Sequence, residues 1–178
     1  MSNVRLYGAK RCVKSRLYEA ALIERGVPYT FFDVEINDEA ANELRLLYAD
    51  RDLQYPTFLI GGKRVRNPSL RELDRTLTHE GLYDAGVVHE PKSKRFVRYM
   101  KPQDAFVSYS ESETKIILGH IEIPPEKRGS GLGARLALEV FPMVKDLGKE
   151  ARITCTFMRK VAASRPEWAE YFNIARKS

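Results

Sequence analysis

The stretch from Glu126 to Leu136, Glu-Lys-Arg-Gly-Ser-Gly-Leu-Gly-Ala-Arg-Leu, constrains this chain more than any other. Gly129, Gly131 and Gly133 stand at alternate positions. Ahead of them an apolar run, 114–123, predicts a strand, stopped by Pro124 and Pro125. Behind them Leu132, Leu136, Val140 and Val144 fall four residues apart and predict an amphipathic helix. Glycine admits backbone torsions and close approaches that a side chain forbids. Such a loop turns several N–H groups, and the positive end of the helix behind it, toward one point. That is a seat for an anion, and a pyrophosphate fits it best. Lys127 and Arg128 bring cations to its rim. The spacing is not the G-x-G-x-x-G of a dinucleotide fold, no second βαβ unit follows, and no Gly-Lys-Ser/Thr closes a Walker loop.

Strand, arginine, glycine loop and helix, in that order, resemble the acyl-CoA N-acetyltransferase (GNAT) superfamily. Its signature, Gln/Arg-x-x-Gly-x-Gly/Ala, is met at each fixed position by Arg128-Gly129-Ser130-Gly131-Leu132-Gly133. His120-Ile121-Glu122-Ile123-Pro124 and Thr154-Cys155-Thr156-Phe157 are similar to the compact members of that superfamily, over roughly residues 95–173. The resemblance implies a small α+β domain that uses acetyl-CoA (or CoA). It puts the pyrophosphate on Arg128, Gly129, Ser130, Gly131, Leu132 and Gly133, and the pantetheine along strand 114–123. A backbone N–H near Ile121 to Ile123 would polarise the thioester carbonyl. The acceptor is an amine, on a small molecule or on a protein, and it must lose a proton to attack. His120 and Glu122 share one strand face by the period of two, and either can take that proton. Cys155, on a predicted strand 151–158, offers a second route in which a thiolate carries the acetyl group first. Tyr171 is a candidate proton donor to the departing thiolate. As plain packing residues, Cys155, His120 and Tyr171 need no chemistry at all.

The first half has a different pattern. Val4–Tyr7 predicts a buried strand, and Leu17, Ala20, Ala21 and Ile23 predict a helix that ends at Gly26. A strand at 29–34, a helix at 39–48 and a strand opened by Pro56 follow. Gly61-Gly62 turns that strand into a hairpin partner, 63–66, and Ser69 with Glu72 forms a capping box for a last helix. The order βαβαββα, with Cys12 at the first helix start, Tyr55-Pro56 before a strand and Gly61-Gly62 in the hairpin, resembles a glutaredoxin, of the thioredoxin fold. The resemblance implies a cis Pro56 whose backbone faces the sulfur. Ser15 stands where a resolving cysteine would, so the motif is of the monothiol type. It implies transfer of glutathione onto Cys12, or an iron–sulfur cluster shared across a homodimer. Lys10, Ser15, Tyr55 and Pro56 are the expected thiol-substrate contacts. Val13 and Asn67-Pro68-Ser69 depart from the family pattern. A helix start with Lys10, Arg11 and Lys14 around it favours thiolate over thiol.

The fold class expected is therefore α/β with two domains: a thioredoxin/glutaredoxin-like unit at 1–83, a linker at 84–94 and a GNAT-like unit at 95–178. The net charge of +6 lies wholly in residues 85–178, with 17 Lys and Arg against 11 Asp and Glu; residues 1–84 hold 13 of each. A basic half suits a polyanion, and CoA is one. Arg95, Phe96, Arg98, Tyr99 and Lys101 also admit base stacking on a nucleic acid, although such alternation is more commonly a half-exposed strand. No apolar run reaches the roughly 20 residues of a membrane span. The start, Met1 to Leu6, lacks secretory character, and two distant cysteines suit a reducing cytoplasm. No metal-ligand cluster is visible, and His89 sits in the expected linker. Two other functions fit the sequence: a thiol oxidoreductase with a CoA-binding second domain, and a non-catalytic binding protein.

Overall fold

The computed structural model describes residues 3–174. Met1 and Ser2 of the expected first domain, and residues 175–178 of the second, lie outside them. The chain divides into two compact units after Asp84.

The first unit runs β1 (Val4–Gly8), α1 (Val13–Glu24), β2 (Thr30–Asp33), α2 (Asp38–Leu46), β3 (Thr57–Ile60), β4 (Lys63–Arg66), α3 (Leu70–His79). The sheet order is β2-β1-β3-β4. β1 is parallel to β2 and antiparallel to β3, and β3 is antiparallel to β4. Successive strand residues face opposite ways, and the core follows that rule. Val4 and Leu6 pack with Tyr18, Leu22, Leu73 and Leu77 of α1 and α3. Tyr7 packs with Ala40, Ala41 and Leu44 of α2. Helices thus cover both faces of a mixed sheet, the βαβαββα arrangement of the thioredoxin fold. Gly61 and Gly62 make the hairpin turn at φ +54° and +81°. The capping box forms as expected: Glu72 N–H donates to Ser69 Oγ, and Ser69 N–H donates to Glu72 Oε2 at 2.7 Å. Tyr55–Pro56 is cis.

One feature of α1 departs from the sequence expectation. Its buried face is Ser15, Tyr18, Ala21 and Leu22, while Leu17 and Ile23 point outward. Two overlapping i, i+3/i+4 series run through this helix, and periodicity does not choose between them.

The second unit runs β5 (Val87–Glu90), β6 (Arg95–Arg98), β7 (Ala105–Glu111), β8 (Lys115–Glu122), α4 (Leu132–Asp146), β9 (Glu150–Ile153), α5 (Thr156–Ala163), α6 (Pro166–Tyr171). The strands lie in chain order across one sheet. β5 to β8 form an antiparallel meander, and β9 returns parallel to β8 through α4. Leu132, Leu136, Val140 and Val144 are the buried stripe of α4, as their spacing requires. They meet Phe96, Val107, Ile116 and Leu118 of the sheet.

The stretch expected as a linker, 84–94, contains β5. Val87 to Glu90 pair with Arg98 to Arg95. His89 stacks on Phe96 at 4.5 Å between ring centres and bonds Tyr109 Oη at 2.7 Å. Four residues are too few to reveal a period, so pairing with β6 decides this strand. The base-stacking reading meets a direct obstacle, because Phe96 and Tyr99 are buried. The Arg98 guanidinium is bound to Glu139.

Candidate active site

In the second unit, β8 and β9 run in register only from Lys115↔Glu150 to Leu118↔Ile153. Thr154 N–H donates to the Leu118 carbonyl at 3.0 Å. There the chain turns into α5, with Cys155 in the N-cap place, while β8 continues to Glu122. The sheet therefore opens beyond Leu118. A β-bulge accompanies the opening: Leu118 faces Tyr109 and His120 faces Ser108, which leaves Gly119 as the extra residue. A bulge bends its strand and re-aims the side chains after it.

Those side chains are His120 and Glu122. His120 Nε2 donates to Glu122 Oε2 at 3.1 Å. Arg128 Nη2 donates to Glu122 Oε1 at 3.0 Å, and Arg128 Nε donates to the Ile123 carbonyl at 3.2 Å. The His120 bond, then the Arg128 bond, hold the Glu122 carboxyl below its ordinary range. Arg128, expected at the rim of the anion seat, is here tied to the end of β8. Ile121 and Ile123 are half-buried and pack against the core, which leaves their main chain to act.

The glycine loop leaves β8 through a short 3-10 turn, Pro125–Lys127. Gly129 and Gly131 sit at φ +77° and +80°, and a Cβ at either would meet open space. The demand for glycine there comes from the torsion, which L side chains resist. At Gly133 the demand comes from packing: a Cβ would lie 3.1 Å from the Phe157 ring of α5. Arg128 N–H is bound to Pro125 O, and Ser130 Oγ donates to Lys127 O at 2.6 Å. Among the described residues no internal acceptor meets the N–H groups of Gly129, Gly131, Leu132, Gly133 and Ala134. They gather at the first turn of a 15-residue helix, and residues 125–131 are exposed. Unpaired amides at a helix start are what a phosphate requires.

Cys155 is corrected from a strand to the start of a helix. It is half-buried, and its carbonyl accepts from Arg159 N–H at 3.0 Å. The run Ile153 to Phe157 alternates as a strand does, but Met158 and Ala162, four residues apart, are the side chains buried here, the spacing of one helix face. Cys155 therefore borders the opening between β8 and β9. Tyr171 meets Trp168 and Phe172 edge to face, Lys145 approaches its ring, and it lines a separate cavity with Ile153, Thr154 and Arg159.

In the first unit, Cys12 is the N-cap residue of α1 and is half-buried. Burial works against its thiolate. The polar hydrogens of Ser15 (main-chain N–H, then hydroxyl) and the Lys14 N–H, with the Lys14 charge, outweigh it and lower the thiol pKa, although no side-chain cap bond forms at this helix start. Cys12, Lys14, Tyr55, Pro56, Arg66 and Asn67 line a cleft of about 460 Å³. Two expected substrate contacts change role. Ser15 is fully buried, with its Oγ also accepting Ala9 N–H at 3.2 Å, so it supports Cys12 from beneath. Lys10 does not line the cleft; its main-chain N–H donates to Asp33 Oδ2 at 3.2 Å. Arg11 is committed to Glu35, which also accepts Tyr55 Oη–H at 2.8 Å. Arg66 is a lining residue that sequence reasoning misses, and Asn67, noted there only as a departure from the family pattern, lines the cleft as well. An asparagine directly before a proline, at the end of a strand, is the one local sign of a turn there, and Asn67 sits at φ +43°. Among the described residues no cluster of His, Cys, Asp or Glu is placed to hold a metal ion. No helix among them is long and apolar enough to cross a membrane.

The family model of the GCN5-related N-acetyl-transferases matches residues 95–171. Two solved structures resemble the first unit. One is a point mutant of a thioredoxin-like protein, 27% identical, covering 44% of this chain and 97% of its own, at a TM-score of 0.38. The other is a glutaredoxin from Archaeoglobus fulgidus, 18% identical, covering 43% and 87%, also at 0.38. A search of curated proteins found no match. Bare amides at a helix start beside an opened sheet, and a family match over the same residues, lead to one assignment: residues 95–171 are a GNAT-type acetyltransferase domain, carried in one chain with a βαβαββα unit of thioredoxin-like topology.

Proposed function

We propose that the chain is an acetyl-CoA-dependent N-acetyltransferase acting on an amine. The observation that carries this reading is the set of N–H groups at Gly129, Gly131, Leu132, Gly133 and Ala134, without internal acceptors, at the N-terminus of α4. The residues present fit a pyrophosphate-bearing carrier, since Gly129 and Gly131 leave open space where other residues would put a side chain. These amides would hold the phosphates, and the edge of β8 beyond Leu118 would hold the pantetheine arm. Acetyl-CoA supplies an acyl group activated as a thioester.

The protein's own part is proton handling and orientation. His120 takes the proton that the acceptor amine must lose. Glu122 is the positioning residue: by accepting the Nε2 proton it leaves Nδ1 as the basic nitrogen, and it stabilises the ring once charged. A carboxylate already stabilised by two donors is the weaker base of the pair. Cys155 borders the same opening and is the alternative nucleophile. A panel of amines, followed by loss of thioester absorbance, tests the reading. Turnover that depends on both amine and loop supports it; failure of acetyl-CoA to bind the intact protein overturns it.

A second reading applies to the first unit, favoured by the lowered thiol pKa of Cys12 above a cleft that contains Lys14 and Arg66. Cys12 is a reactive monothiol that exchanges with disulfides, glutathione mixed disulfides among them. Mass mapping of Cys12 after exposure to oxidised glutathione checks it, and no adduct at Cys12 would remove it.

A further inference from the structure

A second cavity adjoins the Cys12 cleft. It holds about 570 Å³ and is walled by Leu17, Tyr18, Ala20 and Ala21 of α1 and by Pro68 and Leu70 at the start of α3. Lys14 and Asn67 line both cavities. The groove presents mostly carbon, with Glu24 and Ser69 completing its lining. Leu17 is 61% exposed and Leu70 51%. The Tyr18 hydroxyl is already used, since Tyr18 Oη donates to the Pro68 carbonyl at 2.6 Å and approaches Asn67 Oδ1 at 3.2 Å. That bond ties α1 to the start of α3 and sets the floor of the groove. An exposed aliphatic wall beside a reactive sulfur needs an explanation that core packing does not supply.

We propose that this groove is a specificity site for cysteine-containing peptide segments, receiving an aliphatic or aromatic side chain near the cysteine that reacts with Cys12. The proposal rests on the second reading above, that Cys12 exchanges with disulfides. Continuity decides the occupant: whatever holds its sulfur against Cys12 and outgrows the first cleft passes Lys14 and Asn67 into the apolar one. Distance sets the register. Leu17 lies five residues along α1 from Cys12, about 7.5 Å, which is about two residues of extended peptide. A second copy of the chain is a poor occupant, because a stable pair buries about 800 Å² per partner and the groove offers two exposed leucines. Lys14 and Arg66 in the first cleft favour a carboxylate close to the sulfur.

The step balances without net oxidation or reduction. The Cys12 thiolate attacks the peptide sulfur of a disulfide between the peptide and a small thiol. The old S–S bond breaks, the small thiol leaves with its electron pair and takes a proton from water, and a Cys12–peptide disulfide remains. A further low-molecular-weight thiol releases the peptide by the same exchange.

The test uses the full chain and two peptides differing at one place, Leu or Ser two residues before the cysteine. Both are supplied as thiopyridyl disulfides, with reaction at Cys12 assigned by mass mapping. The leucine peptide is expected to react about tenfold faster, the order of one aliphatic side chain leaving water. L17D and L70D are expected to bring that ratio to about one and leave the serine peptide unchanged; both side chains are exposed, so the fold is retained. Equal rates in the parent protein, or a ratio that survives both substitutions, overturns the proposal. A separate arm distinguishes it from the thiol reading. The leucine peptide with serine in place of cysteine is titrated while the methyl resonances of Leu17 and Leu70 are followed. Shifts with an inert Cys12 leave the groove standing and end the exchange chemistry; no shifts end the groove.

Discussion

At the start of α1 the N-cap residue is Cys12; at the start of α4 it is Gly131. Both helix ends favour negative charge, and neither has a side-chain cap of the usual kind. The two units resolve this in opposite ways. In the first, the chain brings its own sulfur, whose ionisation the polar groups of Ser15 and Lys14 favour. In the second, side chains are removed, and the amides at the helix start are left without internal acceptors. On the proposed readings, the same backbone electrostatics would support a nucleophile in one place and a binding site in the other. The identity of one residue separates them.

The largest effect is expected where chemistry and position separate. Replacing His120 with Gln keeps the ring's neighbours but removes its basic nitrogen. Turnover should fall by about 10²–10⁴ while acetyl-CoA affinity holds, as initial rates beside calorimetry would report. A tenfold or smaller loss would return the proton to Glu122 or to water.

Next is Gly131→Asp, which sets both a side chain and a negative charge on the anion seat at φ +80°. We expect acetyl-CoA binding to weaken about 100-fold, or about 2.7 kcal/mol, with Cys12 reactivity unchanged. Unaltered affinity would break the comparison, because the amides would then not be the seat.

Ser15→Ala tests the other helix end. It removes the hydroxyl that favours ionisation of the Cys12 sulfur and leaves Ala9 N–H without its acceptor. Stability should drop by about 1–2 kcal/mol, and the pH midpoint of Cys12 alkylation should rise. A stability change without a pKa change would make Ser15 a packing residue only.

Lys14→Gln gives the smallest effect, a rise in the Cys12 midpoint and about two- to threefold slower alkylation near neutral pH, of the order of one exposed charge. The sign for stability follows from the lowered pKa. Cys12 contributes stability fully above the ordinary thiol pKa of about 8.5, and loses it as pH falls through its lower folded value. Melting curves of Cys12→Ser and the parent should therefore converge at low pH and separate at high pH.

Much of the molecule is legible in its residues alone. The capping box of α3, the buried stripe of α4, the hairpin at Gly61-Gly62 and the glycine loop all announce themselves through local rules of torsion and periodicity. The strand period places His120 and Glu122 on one face, and they bond to each other. The departures share a cause. β5 is a strand because β6 pairs with it. Cys155 opens a helix because Met158 and Ala162 are buried together on one face. Leu17 faces outward because Tyr18 and Leu22 won the core, and Arg128 reaches Glu122 because the chain turns back after Pro125.

The sequence by itself determined which backbone groups would be bare and which helix start would carry a sulfur, since both follow from residue identity within a few positions. Only the tertiary structure decided what lies beside them: where β8 parts from β9, which cations reach the Cys12 cleft, and that an apolar groove adjoins it. The physical reason is range. Torsion and capping act between neighbours along the chain, whereas a cleft is made of surfaces that meet only after distant segments have packed.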